Sequence, residues 1–342
     1  MSFISSATRA VERTPLPDGA TRLGIDFLVG RTRRRLARAT PDGEAGFAKD
    51  MTNHPIAEHA ASANEQHYEL PPEFFGLTLG PRRKYSCCFY DTGREDLAAA
   101  EIAALERTVD NADLCDGQSI LELGCGWGSL TLFMAERFPH ARIVAVSNSA
   151  PQRRHIVAQA ASRGLRNVEV RTADMNDFQP EQRFDRVVSV EMFEHMANWH
   201  GLLSRIRDWL NADGRLFVHV FSHRDSPYRF DHRDDADWIA QHFFTGGVMP
   251  SHGLIGHFPD CFTVEQDWRW SGVHYARTAR DWLARFDANR ERIEPLLRQV
   301  YGSDAGLWLR RWRLFYLATE GLFGHAGGAE WGVSHYRLRP VG

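Results

Sequence analysis

Residues Ile120–Leu130 read ILELGCGWGSL. An apolar run ends at Leu123, three glycines alternate with Cys125 and Trp127, and helical spacing of apolar residues begins at Leu130. That order predicts a strand, a tight turn and a helix. Glycine at 124, 126 and 128 lets the backbone turn sharply and lets a ligand reach the helix N-terminus with no Cβ in the way. The spacing is G-x-G-x-G, distinct from the G-x-G-x-x-G of the dinucleotide fingerprint. A nicotinamide-binding turn and a purely structural glycine turn are the competing readings.

Outward from this turn the pattern repeats. Strands are expected at Ser119–Leu123, Arg142–Ser147, Val168–Thr172, Arg186–Val190 and Arg215–Phe221. Helices are expected at Leu130–Phe138 and Leu202–Leu210, and between them one opened by Ser149 and Gln152 in capping-box spacing and closed at Gly164. Alternating short apolar runs and helical periods predict βαβ units, hence an α/β chain with a mostly parallel sheet. Beyond Ser222 the stretch HRDSPYRFDHRDDADW reads as a loop or lid. Phe262–Trp270 and Trp331–Leu338 then read as strands, and Thr278–Arg290 and Gly306–Leu322 as helices.

The 342 residues allow one large domain with an elaboration, or two modest ones. A net charge of -3 gives no argument for a nucleic-acid partner. Lys49 and Lys84 are the chain's two lysines, so its basic charge is nearly all arginine, which we read as the codon bias of a GC-rich, bacterial genome. Five cysteines, none in a C-x-x-C pair, point away from a disulfide framework or zinc site and toward a reducing cytoplasm; no metal is expected. No secretory segment or membrane-length apolar run is present.

Residues 1–65 read as a helical extension and linker. Asp18 is placed to cap a helix leading to Arg31, Arg33, Arg34, Arg35 and Arg38, and Pro41 to Asn53 looks like linker. The arginines read first as a solvated helix end. The other reading is contact with an anionic surface such as lipid headgroups, so membrane contact is at most peripheral. Next comes HYELPPEFFGLTLGPRRKYSCCFYD, His67–Asp91, too aromatic for a linker. It reads either as an apolar strap over the domain edge or as one wall of a site.

The stretch VVSVEMFEHM sets Glu191, Glu194 and His195 directly after a strand. On one helical turn these positions share a face, at the strand end where open α/β sheets bind ligands. Two crowded carboxylates raise the pKa of one of them, which suits acid–base work near neutrality. The alternative is a structural cluster. The second strand ends VAVSNSAPQ with no acid from Ile143 to Gln152, leaving Ser147, Asn148 and Gln152 as neutral hydrogen-bonding groups. Asp174 suits an adenine amino group, or a plain turn.

The glycine stretch, preceded by Glu122, resembles motif I of class I S-adenosylmethionine-dependent methyltransferases. Taken in order, YSCCFY, LELGCGWGSL, VSVEMFEHM, LFVHVFSH, GGVMPS and EWGVSHY resemble the cyclopropane-fatty-acyl-phospholipid synthase superfamily of methyltransferases, most of all its coclaurine N-methyltransferase branch. The likeness covers about residues 60–340. It implies a Rossmann-like sheet with one antiparallel strand, a cofactor-binding core at 66–222, and a helical and loop substrate cap at 223–342 that also supplies the last strands. It further implies S-adenosylmethionine as cofactor, held by Tyr85, Ser86, Glu122, Gly124, Gly126, Ser147, Asn148, Gln152, Asp174 and Met175. The substrate implied is a small-molecule amine. Glu191, Glu194 and His195 would be catalytic, with Trp331, Phe74 and Phe323 as aromatic walls. In the lipid-modifying branch a bicarbonate pocket would match Cys87, Glu194, His219 and either Phe315 or Tyr316, so methyl transfer to an unsaturated acyl chain is the rival activity. A cofactor-binding protein without catalysis is the other rival. Oligomeric state is open.

Overall fold

The computed structural model describes Glu12, Thr14 and residues 16–38, 43–58, 70–234 and 237–342. His67, Tyr68 and the linker residues 41–42 lie outside them. The main sheet has seven strands. They are β1 (Ser119–Leu123), β2 (Arg142–Ser147), β3 (Val168–Thr172), β4 (Phe184–Val190), β5 (Leu210–His223), β8 (Phe262–Ser271) and β9 (Trp331–Pro340), in spatial order β3-β2-β1-β4-β5-β9-β8. Pairing is parallel from β3 to β5, and β9 runs antiparallel to both β5 and β8. The sheet is therefore mostly parallel with one reversed strand. The short strands β6 (Tyr228–Arg229) and β7 (Val248–Met249) make a separate ribbon.

Side-chain alternation explains why the centre is so apolar. Ile120, Ile143, Val188 and Phe217 pack on the helices Leu97–Asn111 and Ser129–Arg137. Leu121, Leu123, Val144, Val146 and Val187 face the other way, onto Leu202, Leu203 and Ile206 of the helix Trp199–Trp209. A parallel strand covered on both faces is mostly apolar, and all five residues of β1 are buried, Ser119 and Glu122 included. A third core is aromatic. Phe74, Phe75, Trp282, Phe286, Trp312, Phe315 and Tyr316 gather from the helices Pro72–Thr78, Gly272–Ala288 and Ala305–Gly324.

Each expected strand and helix has a counterpart, with ends shifted by a few residues; the largest shifts are at the helix Gly272–Ala288 and at β5. Four local expectations are corrected. The linker contains a helix, Gly43–Met51. The loop from His223 to Trp238 contains β6 and opens the short helix Trp238–His242. Asp18 is the first helical residue rather than the cap, because Arg313 takes its carboxylate at 2.6 and 3.0 Å. The capping box at Ser149 is half built. Ser149 accepts the Gln152 amide, but the Gln152 side chain turns to Ser147, whose hydroxyl donates to Oε1 at 2.6 Å.

The helix Asp18–Leu36 lies along Ala305–Gly324 and the segment after it. Asp18 bonds Arg313, Arg22 bonds Glu320, Asp26 bonds His325 at 3.0 Å, and Arg33 bonds Glu330 at 2.8 Å. Arg33 is thus tied within the chain rather than free for a surface.

One buried acid sits on β1 itself. Glu122 is 2 % exposed and accepts from Thr131 Oγ1 at 2.5 Å. Burial lifts its pKa from the ordinary 4.5 to about 8. Between those values the folded chain keeps a proton that the unfolded chain has lost, so this group's contribution to stability falls as pH rises through the window. Glu122→Gln removes the effect. Urea melts at pH 5.5 and 8 should show the variant gaining on the parent by about 1.4 kcal/mol per pH unit at most. A constant difference between the two proteins would show that Glu122 does not titrate there.

Candidate active site

Hydrogen bonds from two helices pin the Gly80–Tyr90 strap. Glu101, buried in Leu97–Asn111, accepts the backbone N–H groups of Arg82 at 2.8 Å and Lys84 at 3.0 Å. Thr278, from Gly272–Ala288, accepts the Cys88 N–H at 3.0 Å. A Cβ at Gly80 would stand 2.5 Å from the Glu101 carboxylate, so only glycine lets the two approach. The strap brings the Tyr85 ring against Phe75 and Trp282, at 5.4 and 5.6 Å. It is both an apolar strap and, through Cys87, a contributor to the polar site below.

At the carboxyl ends of β1 and β2 a cleft opens. Gly124, Gly126, Ser147, Asn148, Gln152, Asp174, Met175, Glu191 and His195 line it, nine of the expected site residues. Gly124 has φ +80°, and a Cβ there would meet the Met192 side chain at 2.6 Å. Gly126, at φ +51°, faces open space. At the β2 end Ser147 Oγ donates to Gln152 Oε1 and accepts the Ser149 N–H at 3.0 Å. Gln152 Nε2 is buried without a hydrogen-bond partner among the described residues. A buried donor aimed at a cleft calls for an acceptor such as a hydroxyl, which suits a ribose. Asp174 Oδ1 accepts the Asn176 N–H at 2.8 Å, so its turn role is realised at the cleft wall.

The EMFEH residues divide. Glu191 follows β4 with a left-handed backbone, φ 48°, a strain of about 1–2 kcal/mol for a residue with a Cβ. Three donors from separate elements hold its carboxylate: the Cys87 N–H at 2.9 Å, His219 Nε2 at 3.3 Å and the Tyr275 hydroxyl at 2.6 Å. Burial raises the Glu191 pKa, and the Lys84 charge, the Cys87 N–H and the Tyr275 hydroxyl pull it back. Glu194, on the single turn Phe193–His195, is 1 % exposed, and its Oε2 has no hydrogen-bond partner among the described residues. Burial, then the neighbouring Glu191 charge, pushes its pKa well up, so Glu194 is the neutral acid of the pair. His195 lies on the cleft wall with its ring stacked on Phe244, centroids 5.2 Å apart.

Other expected residues lie around this centre rather than in the cleft lining. Ser86 Oγ accepts from Lys84. Cys87 is fully buried, and burial raises its thiol pKa. His219 is kept neutral by burial and stacks near His335, its register partner on β9, at 4.5 Å. Phe315 stacks on Phe243, and Tyr316 packs on Trp282 and Phe286, both in the aromatic core; the hydroxyl that reaches Glu191 is that of Tyr275. Trp331 is buried against His223 and donates to the Tyr228 hydroxyl at 3.3 Å. Phe74 belongs to the aromatic core, while Phe323 stacks on Tyr275 at 4.3 Å. Sequence reasoning missed Ala57, Glu58, Met192, Met196 and Thr245 on the cleft wall, and Tyr275 behind it. Met192 and Met196 sat beside the quoted acids and could have been found; the others carry no local signal.

The chain matches the family described as mycolic acid cyclopropane synthetase over residues 56–324. It is 34 % identical to an (S)-coclaurine N-methyltransferase of Thalictrum flavum subsp. glaucum, over 98 % of this chain and 95 % of that one. It is 30 % identical to a cyclopropane-fatty-acyl-phospholipid synthase of Escherichia coli (strain K12), over 72 % of this chain and 64 % of that one. Relatives from plants and a bacterium leave the arginine-rich composition without weight as to source. A crystal structure of a coclaurine N-methyltransferase bound to N-methylheliamine and SAH superposes with a TM-score of 0.93 at 32 % identity, covering 99 % of this chain and 100 % of that one. SAH is what S-adenosylmethionine becomes on losing its methyl group, and the cleft is formed by the same glycine turn and EMFEH turn on which the likeness rests. The chain belongs to the mycolic acid cyclopropane synthetase family and is an S-adenosylmethionine-dependent methyltransferase.

Proposed function

We propose that the enzyme methylates the nitrogen of a small-molecule amine. The observation that carries this is the Glu191 carboxylate, held in place by three donors on a residue that lines the cleft. A fixed anion there suits an ammonium group and has little use beside an alkene. It also lies against Cys87 and His219, two of the residues between which the lipid reading would seat an external anion.

S-adenosylmethionine, when bound, supplies an electrophilic methyl group. Gly124 and Gly126 would let it lie close to the backbone, Ser147, Asn148 and Gln152 would bond its ribose, and Asp174 and Met175 would flank its base. Tyr85, Ser86 and Glu122 would stand at its methionine end. On the substrate side Glu191 binds the ammonium form. His195, on the cleft wall, accepts the proton that must leave before nitrogen has a lone pair. Glu194, already protonated, keeps a second negative charge out of the pocket. Phe244, stacked on His195, would give an apolar flank that favours the cationic product. Alignment of nucleophile and methyl supplies much of the rate.

On this reading we propose a division near residues 65 and 222, with β8 and β9 returned by the cap to the sheet. No helix of the described residues is long and apolar enough to cross a membrane. Its five cysteines, all unpaired, suit a reducing cytoplasm.

Two outcomes test the assignment. S-adenosylmethionine should raise the melting temperature of the parent protein by mass action. Gly126→Val should fold with a loss of about 1–2 kcal/mol from its left-handed backbone, because a Cβ there meets no other atom, yet lose the cofactor-induced shift. An undiminished shift would move the cofactor elsewhere.

Kinetics on an amine panel, run beside unsaturated phospholipid vesicles, test the acceptor. Amines should be turned over and lipids should gain no methylene. His195→Ala should lose about 10²–10⁴ in kcat, easing as pH rises and free amine deprotonates. Glu191→Gln should act mainly on KM. Glu194→Gln, which copies a neutral acid, should stay within about tenfold of the parent. Methylene gain on lipids with idle amines would reverse the assignment, and a His195→Ala loss equal at every pH would remove its role as base.

A further inference from the structure

The strap carries a lysine that none of these roles uses. Lys84 is 2 % exposed. Its ammonium group donates to Ser86 Oγ at 2.5 Å and to the Cys87 carbonyl at 2.7 Å. Both are neutral oxygens, and a buried cation on neutral oxygens is costly unless a counter-charge stands near. Two buried acids stand near as counter-charges, Glu101 and Glu191, since the Lys84 charge acts on both carboxyls. Cys87 is gripped from both sides: Lys84 takes its carbonyl and Glu191 takes its N–H.

We propose that Lys84 is a positioning residue for methyl transfer, anchoring Cys87 so that its N–H meets Glu191 and keeping Glu191 an anion for an incoming ammonium group. Only the last clause rests on the amine reading.

The titratable groups around Glu191 come from five elements. They are Lys84 and Cys87 on the strap, His219 on β5 with His335 of β9 behind it, Tyr275 on Gly272–Ala288, and Glu194 and His195 on its own turn. Burial keeps the Cys87 thiol and Tyr275 phenol protonated and both His219 and His335 neutral. None of these four therefore balances the carboxylate. Removing the lysine charge takes away the largest influence opposing burial and leaves only the Cys87 N–H and the Tyr275 hydroxyl, so the carboxyl would hold its proton to higher pH.

The test uses Lys84→Met, Lys84→Gln and the charge-keeping Lys84→Arg. Infrared difference spectra against Glu191→Gln, with no substrate present, report whether Glu191 is a carboxylate. The parent and Lys84→Arg should show a carboxylate at pH 7, and the neutral variants a protonated acid. In kinetics the acidic limb of kcat/KM should move to higher pH by about one unit or more in the neutral variants, a tenfold loss per unit at a fixed pH on the limb. A limb that stays in place while kcat falls equally at every pH means Lys84 only supports the fold, and the proposal fails. Should the neutral variants not fold, the parent spectrum decides, because a protonated Glu191 at pH 7 overturns the proposal. An infrared shift without turnover of any amine sustains the Lys84–Glu191 link and sinks the amine reading instead.

Discussion

The buried Glu191 carboxylate is the constraint that organises this molecule. Its three donors come from residues 87, 219 and 275, far apart in the chain. An ionised group taken out of water must be repaid by charge-assisted bonds, each worth about 1.5–3 kcal/mol. Strap, sheet and cap helix are therefore bound to one another through a single side chain. The strained backbone of Glu191 fits that view. Its N–H closes onto the His219 carbonyl at 2.8 Å, turning the carboxylate inward between the elements it joins.

The N-terminal helix is joined to the cap by a different means. Its composition is polar, with Leu23 and Phe27 exposed, and its apolar contact with the core is limited to Ile25, Val29 and Leu36. Ion pairs spaced along one side add to that contact, from Asp18 to Arg33. Glu320 and Glu330 are 7 % and 6 % exposed at their side chains, so their partners gain more than surface pairs would. Glu330 precedes Trp331, which ties this clamp to the start of β9.

Much of the sheet could be read in the sequence because the parallel strands are short, β-branched-rich runs between turn residues. The glycine turn and the EMFEH stretch were equally legible, since their chemistry lies within ten residues of chain. What escaped was assembled across distance. Tyr275 sits in an ordinary amphipathic helix, and nothing near it marks a hydroxyl aimed at Glu191. Ala57 and Glu58 reach the cleft because Ala57 bridges to Met196 and exchanges hydrogen bonds with the Asn176 side chain. The helix Leu97–Asn111 had a signal, an Asp96 cap before an alanine-rich run, that was overlooked. The Ser149 box misled because Gln152 found a better partner in Ser147 than in the helix end.

The position of β9 has a consequence for the order in which the protein can form. It lies between β5 and β8, yet its residues follow theirs in the chain. During synthesis the 14-residue β5 has a bare edge, and β8 has no neighbour in the sheet, until residues 331–340 emerge. His335, which meets His219 ring to ring, arrives with them. Closure depends on contacts between residues far apart in sequence, which are slow to form. The nascent molecule thus carries two open strand edges, which invite pairing with other chains. The last strand to be made is the one that takes those edges out of reach.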